Sequence, residues 1–222
     1  MNLIIEEDFA SRLPEYRVIL IEADVKVEPT SDAQKKEMDE LAAGIASRLK
    51  VEDINKQAPI VATRRAYKIC GKDPNRYRPS QEQLMRRIVR GLGLYNVDSL
   101  VDAGNQLSLM TGCSVGCFDR DKVEGDCLSV GIGRHEEPYE GIGRGPLNVE
   151  GLPIVRDSRG GIGTPTSDNE RTKISSSTRQ LVMTIHLFDP AADADGIISL
   201  AKTLMGRHAK ACNFKENIVS VD

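Results

Sequence analysis

Tyr16 to Val27 reads YRVILIEADVKV, Val and Ile with polar residues between them, and predicts a strand placed centrally in a sheet. Met38, Leu41, Ala42, Ile45 and Leu49 then recur at helical spacing, and Ser31 stands at capping-box distance from Gln34. Residues 32–50 are therefore expected to lay one apolar helix face on that sheet. The next helix starts near Pro59, suited to a first turn, and stops at Gly71, a residue suited to the left-handed position after a helix. After the loop DPNRYRPS, Ser80 and Gln83 repeat the capping signal, and Leu84, Met85, Ile88 and Val89 supply the buried face of a short helix ending at Gly91 and Gly93. Leu100, Ala103, Leu107 and Met110 predict one more. Beyond residue 112 glycines crowd in and the pattern changes to short strands, at 126–132, 152–156 and 180–188. Helical spacing returns through Ile197, Leu200, Ala201 and Leu204, and NIVSV at 217–221 closes as an edge strand. The predicted fold is α+β, a helical N-terminal half packed on a mostly β, glycine-rich C-terminal half. No repeat, linker or low-complexity tract breaks it, so residues 1–222 are expected as one domain, with 1–111 and 112–222 as its lobes if it has any.

Composition agrees with a globular chain: 222 residues, 40% hydrophobic, 28% charged, no tryptophan. At this length roughly 70% of the unfolded surface is buried, enough for a core without disulfides or metal. The longest uncharged run, Ala103 to Phe118, carries Asn105, Gln106, Ser108, Thr111 and Ser114 and falls short of the roughly 20 apolar residues of a bilayer span. No membrane association is expected. The start, MNLIIEEDFASR, has neither the positive segment nor the apolar stretch of a signal peptide, so the expected location is cytoplasmic. Reduced thiols are then expected at positions 70, 113, 117, 127 and 212.

A net charge of -3 argues against nonspecific coating of nucleic acid, which phosphate neutralisation drives, and no DNA partner is expected. Resolved along the chain, the charge changes meaning. Residues 1–63 hold eight basic and thirteen acidic groups, residues 64–90 nine and two, and residues 91–222 thirteen and eighteen, or -5, +7 and -5. The basic block comprises Arg64, Arg65, Lys68, Lys72, Arg76, Arg78, Arg86, Arg87 and Arg90. Arginine forks suit phosphate oxygens, and Tyr67 and Tyr77 among them can stack on an unpaired base. The block reads either as an RNA-backbone contact or as a solvated helix face paired with its acidic flanks.

Several motifs fail on context. GCSVG at 112–116 matches a nucleophile elbow in form, but a helical pattern rather than a strand precedes Ser114, and a small-residue turn is the alternative. His186 lies inside an apolar strand, as a structural imidazole would. Cys113, Cys117, Cys127 and His135 lack the paired spacing of a zinc site. DPAADADG does not hold the register of a calcium loop, and GIGRHEEPYEGIGRG lacks the ending of a P-loop. No metal or cofactor is implied. The stretch SDNERTKISSSTRQL is different: it sets Asp168, Glu170, Arg171, Thr172 and Lys173 just before an apolar strand, where a loop presents them at a sheet edge.

Four segments in order, RRAYKICGKDPNRYRPSQEQLMRRI from Arg64, NVDSLVDAGNQLSL from Asn96, CFDRDKVEGD from Cys117 and NERTKISSSTRQLVMTIHLFD from Asn169, resemble the editing (B-three/B-four) module of the phenylalanyl-tRNA synthetase beta subunit. The first segment is more similar to the RxxYxxxGxxPxxYRxS signature of free-standing proteins made of that module alone. The resemblance implies an α+β unit that hydrolyses mischarged aminoacyl-tRNA in trans, removing a wrong amino acid from its ester; the alternative is a non-catalytic tRNA or amino-acid binding module. It implies tRNA or aminoacyl-tRNA as partner and leaves the oligomeric state open. Carried over, Glu170 falls on the glutamate of the editing pocket, with Thr172 beside it as catalytic neighbour. Asn105, Arg171 and Lys173 form the pocket with Gly116, which stands where the synthetase has a histidine. Asp102 lies on the same matching stretch as Asn105. Arg64, Arg65, Arg76, Arg78, Arg86 and Arg87 would hold the tRNA backbone.

Overall fold

The computed structural model describes residues 1–221. In chain order the elements are β1 (Asn2–Ile5), α1 (Glu7–Arg12), β2 (Arg17–Asp24), α2 (Asp32–Arg48), α3 (Val51–Ile54), α4 (Ala58–Cys70), α5 (Ser80–Val89), α6 (Ser99–Thr111), β3 (Ser114–Asp119), β4 (Cys127–Ile132), β5 (Glu140–Gly141), β6 (Gly145–Pro146), β7 (Pro153–Arg156), β8 (Gly161–Gly163), β9 (Gln180–Leu187), α7 (Ala194–Ala209) and β10 (Cys212–Ser220). One antiparallel sheet runs β10-β2-β9-β3; a second runs β1-β4-β7-β8, in which only β1 and β4 pair parallel. β5 and β6 form a small separate hairpin. The architecture is mixed α+β, as the periodicity predicts, and each large sheet draws strands from both halves of the chain.

Alternation explains the layering. In β2 and β9, Ile19, Ile21, Leu181, Met183 and Ile185 point to one face and join Leu100, Ala103 and Leu107 of α6 with Ile197, Ala201 and Leu204 of α7. Val18, Leu20 and Val182 point to the other and join Leu3, Leu128, Val130 and Val155 of the second sheet, with Phe118 from β3. Thus the first sheet lies between a helical layer and the second sheet, and a strand covered on both faces must read as the continuous apolar run VILI. α2, α3, α4 and α5 build a third cluster around Ile45, Ile54, Ile60, Met85 and Ile88.

The helix stop behaves as the sequence predicts at Gly71, left-handed with φ of 99°, and α6 ends in the same way at Gly112, with φ of 71°. Ser31 caps α2 by accepting from the Gln34 backbone N–H. Ser80 does not cap α5: it is the first helical residue, Pro79 precedes it, and its N–H goes instead to the Pro165 carbonyl at 2.7 Å. A tertiary acceptor has replaced the local cap. The segment after Gly112 is neither elbow nor turn; it is the edge strand β3, with the Ser114 hydroxyl bonded to Gln81 Oε1 at 2.6 Å.

His186 is the structural imidazole expected of it. Its Nδ1 lies 2.6 Å from the Tyr16 hydroxyl, its ring stacks on Phe188, and burial lowers its pKa to about 4. An unfolded imidazole titrates near ~6.5. The stability this neutral ring contributes is therefore complete above that pH and is lost as pH falls from there toward 4. Thermal melts across that window should show a His186→Asn variant depending less on pH than the parent. Equal pH dependence in both would mean that other groups control acid unfolding.

Candidate functional site

A cavity of about 410 Å³ opens where α6, β3, the β5-β6 hairpin and the 167–174 loop meet. Helical spacing puts Val101, Gly104 and Asn105 on one face of α6, and strand alternation puts Val115 and Cys117 on the facing side of β3. Gly104 permits this approach, since a Cβ there would stand 3.1 Å from Cys117 Sγ. Ile142 on the hairpin, Val97 before α6 and Ile174 complete mostly apolar walls, and the polar groups are Asn105, Asp168 and Lys173.

Asp168 sits in the seam between two sheet edges. Its backbone bridges Gly163 of β8, and its Oδ2 accepts from the Cys117 N–H on the free edge of β3 at 3.2 Å. Among the described residues that is the one hydrogen bond to its carboxylate. Burial against apolar walls raises its pKa to about 7, the Cys117 N–H offsetting only part of the effect. Among the described residues no cation pairs with it, and Lys173, which shares the cavity wall, pairs with Glu170. The Asn105 side-chain amide has no protein partner among the described residues, so it is free to meet a ligand.

The other residues expected at the site are placed differently. Glu170 and Lys173 form an ion pair at the rim. Arg171 turns away to fork Asp157 at 2.8 and 2.9 Å; burial disfavours the Asp157 charge, but this fork and backbone donors outweigh it and hold the pKa below the ordinary value. Thr172 is wholly buried, and its hydroxyl has no partner among the described residues. Gly116 lies on the opposite face of β3 from the cavity. A Cβ there would meet Phe118 Cζ at 2.7 Å and Thr184 Oγ1 at 3.1 Å, between the sheets. Asp102 is buried and bonds Thr30 and the Val97 N–H, fixing the entry to α6.

The basic block divides in two. Arg64 and Arg86 reach the fully enclosed Glu82 at 2.9 and 2.8 Å, with Arg78 at 3.8 Å. Arg87 bonds the carbonyls of Leu92 and Gly93 and the Tyr95 hydroxyl. These arginines hold α4, α5 and the following loop together. Arg65, Lys68, Arg76 and Arg90 are exposed, with no acidic partner among the described residues. The stacking expected of Tyr67 and Tyr77 is ruled out for Tyr67, which is wholly buried against Thr166, and Tyr77 is covered by Lys72. Among the described residues no group of three His, Cys, Asp or Glu is arranged to hold a metal ion, and no helix is long and apolar enough to cross a membrane.

A helix layer over two sheets, with an acid-bearing apolar pocket at their seam, defines an α+β domain. A family model described as the B3/4 domain matches residues 62–217, well over half the chain, and the chain belongs to that family. Among solved structures it is similar to an N-terminal fragment of the phenylalanyl-tRNA synthetase beta-subunit from Pyrococcus horikoshii, at 12% identity and a TM-score of 0.49, over 97% of this chain and 50% of that one. The chain thus spans about half the length of that fragment. Comparison with curated protein sequences returns no match.

Proposed function

We propose that this protein binds charged tRNA and hydrolyses the ester of a mismatched amino acid in trans, using the cavity at Asp168. One observation carries the reading: an unneutralised carboxylate, its pKa raised to about 7, in an otherwise apolar pocket with a free amide beside it. A general base works best when its pKa lies near the working pH. Asp168 takes a proton from water as the water oxygen attacks the ester carbonyl. Asn105 and Lys173 face the negative charge that develops on the carbonyl oxygen. Collapse breaks the bond to the ribose oxygen, which recovers the proton from Asp168, and free amino acid and tRNA leave. Glu170 serves here by holding Lys173 at the rim. The second reading is a non-catalytic tRNA or amino-acid binding module, favoured by cavity walls that, among the described residues, hold no histidine.

The test is release of amino acid from a panel of correctly and incorrectly charged tRNAs by the purified protein. Turnover of a mismatched pair supports the esterase; saturable binding with no turnover of any pair leaves the binding module. For the tRNA surface, the double variant Arg65→Ala, Arg76→Ala is expected to keep its Tm. It should also weaken tRNA association and lower the salt dependence by about one unit of slope for each lost phosphate contact. An unchanged slope would place the RNA elsewhere.

A further inference from the structure

Among the described residues eight large apolar side chains are exposed; Val97 and Ile142 are in the cavity wall, and Leu92 and Tyr95 lie in the loop that runs through Val97 into α6. Tyr95 is 63% exposed. The Arg87 guanidinium lies over one face of its ring, 3.9 Å from the centroid, and also donates to the ring hydroxyl at 2.8 Å. The rest of the side chain is mostly exposed. The loop beneath is fixed at both ends, by Arg87 to the carbonyls of Leu92 and Gly93 and by the Asp102 carboxylate to the Val97 N–H. A large aromatic ring presented on a pinned loop is preorganised to receive a flat partner, because little freedom remains to be lost on binding.

Size decides what the partner is. The cavity, about 410 Å³, lies at the small end of the range for small-molecule sites, roughly 300–1,000 Å³, which suits an amino-acyl group with its ribose and leaves the attached base outside. Tyr95 stands two residues from Val97 in the wall, at most about 7 Å along the chain, on the order of one sugar's span. Arg90, exposed and without an acidic partner among the described residues, is the cation on this stretch that suits the phosphate that follows.

Resting on the deacylase reading above, we infer that Tyr95 is the stacking platform for the terminal base of the RNA whose esterified amino acid occupies the cavity. The base lies on the open face of the ring, with the guanidinium on the other. Base stacking of this kind is worth roughly 1–3 kcal/mol by alanine substitution, or a ~5- to 150-fold change in affinity.

The chain has no tryptophan, so Tyr95→Trp installs a single reporter. Three probes are titrated: a non-hydrolysable aminoacyl-adenosine amide, the same amino acid as a simple amide, and adenosine. The expected result is quenching of the installed indole by the aminoacyl-adenosine, whose affinity for Tyr95→Ala falls at least about fivefold while that for Tyr95→Phe is kept; the simple amide binds all variants equally. Equal affinity of the aminoacyl-adenosine for the parent and Tyr95→Ala, with binding abolished by Asp168→Lys, would overturn the platform and leave the pocket reading standing. Binding of none of the probes to the parent would overturn both. Circular dichroism of each variant guards against misfolding, which the exposure of Tyr95 makes a small risk.

Discussion

Asp168→Asn is expected to lower deacylation by about 10²- to 10⁴-fold, the usual contribution of a positioned base, while the protein stays folded. In the parent, kcat/KM should rise with pH about a midpoint near 7, because that ratio reports the free protein and burial sets the Asp168 pKa there. The same shift predicts a stability effect of known sign. The folded state holds its proton up to about 7, whereas an unfolded aspartate loses it near ~3.9. Between those values the folded state binds more protons, so the contribution of Asp168 to stability is greatest below the unfolded pKa and declines as pH rises through the folded one. Asp168→Asn should therefore melt higher than the parent at pH 8, and the two should converge near pH 4. A residue kept only to satisfy the Cys117 N–H would behave differently: Asn keeps an oxygen that accepts this bond, so the variant would melt with the parent at both pH values. Melts at the two pH values, beside the mischarged-tRNA assay, separate these roles; an active Asp168→Asn removes the catalytic assignment.

Glu82→Ala should cost about 3–5 kcal/mol, the effect of stripping one partner from a buried ion pair. Glu82 is wholly enclosed, and Arg64 and Arg86 beside it are only 15% and 16% exposed. Neither guanidinium can regain full hydration without opening the contact between α4 and α5. Against a total stability of roughly 5–15 kcal/mol, the loss would be about a fifth or more. Arg78, 45% exposed and at 3.8 Å, should matter far less. Chemical denaturation of Glu82→Ala and Arg78→Ala measures the contrast; a loss below about 1 kcal/mol for Glu82→Ala would mean that water reaches the cluster. Loss of RNA binding in Arg64→Ala or Arg86→Ala is thus informative only when the variant is shown to be folded, which is why Arg65 and Arg76 are the better probes.

That division of the basic block was partly legible. Arg78 and Arg86 flank Glu82 at helical spacing on either side, which is a local signal for pairing. Arg64 comes from a different helix, and nothing local marks it. The elements show the same contrast. VILI in β2 and the three- and four-residue spacings of α2 and α6 carry their structure in local periodicity, so they were readable. β1 was not: it is four residues long, and it exists because it pairs with β4, Asn2 opposite Cys127. β3 was missed because its small residues resemble a turn until β9 is laid beside them, Gly116 opposite Thr184.

By itself the sequence determined the α+β class, the order of its main elements, the stop at Gly71 and the confinement of the basic excess to residues 64–90. It also marked the polar stretch 167–181, which runs into an apolar strand. All of these depend on neighbours in the chain. Only the tertiary structure decided which loop carboxylate faces the cavity, because a pKa near 7 at Asp168 comes from walls supplied by α6, β3 and the hairpin. It paired Glu170 with Lys173 and Arg171 with Asp157, buried Tyr67 and left Tyr95 in the open. Burial and electrostatic pairing are properties of position in space, and residues far apart in the chain set them.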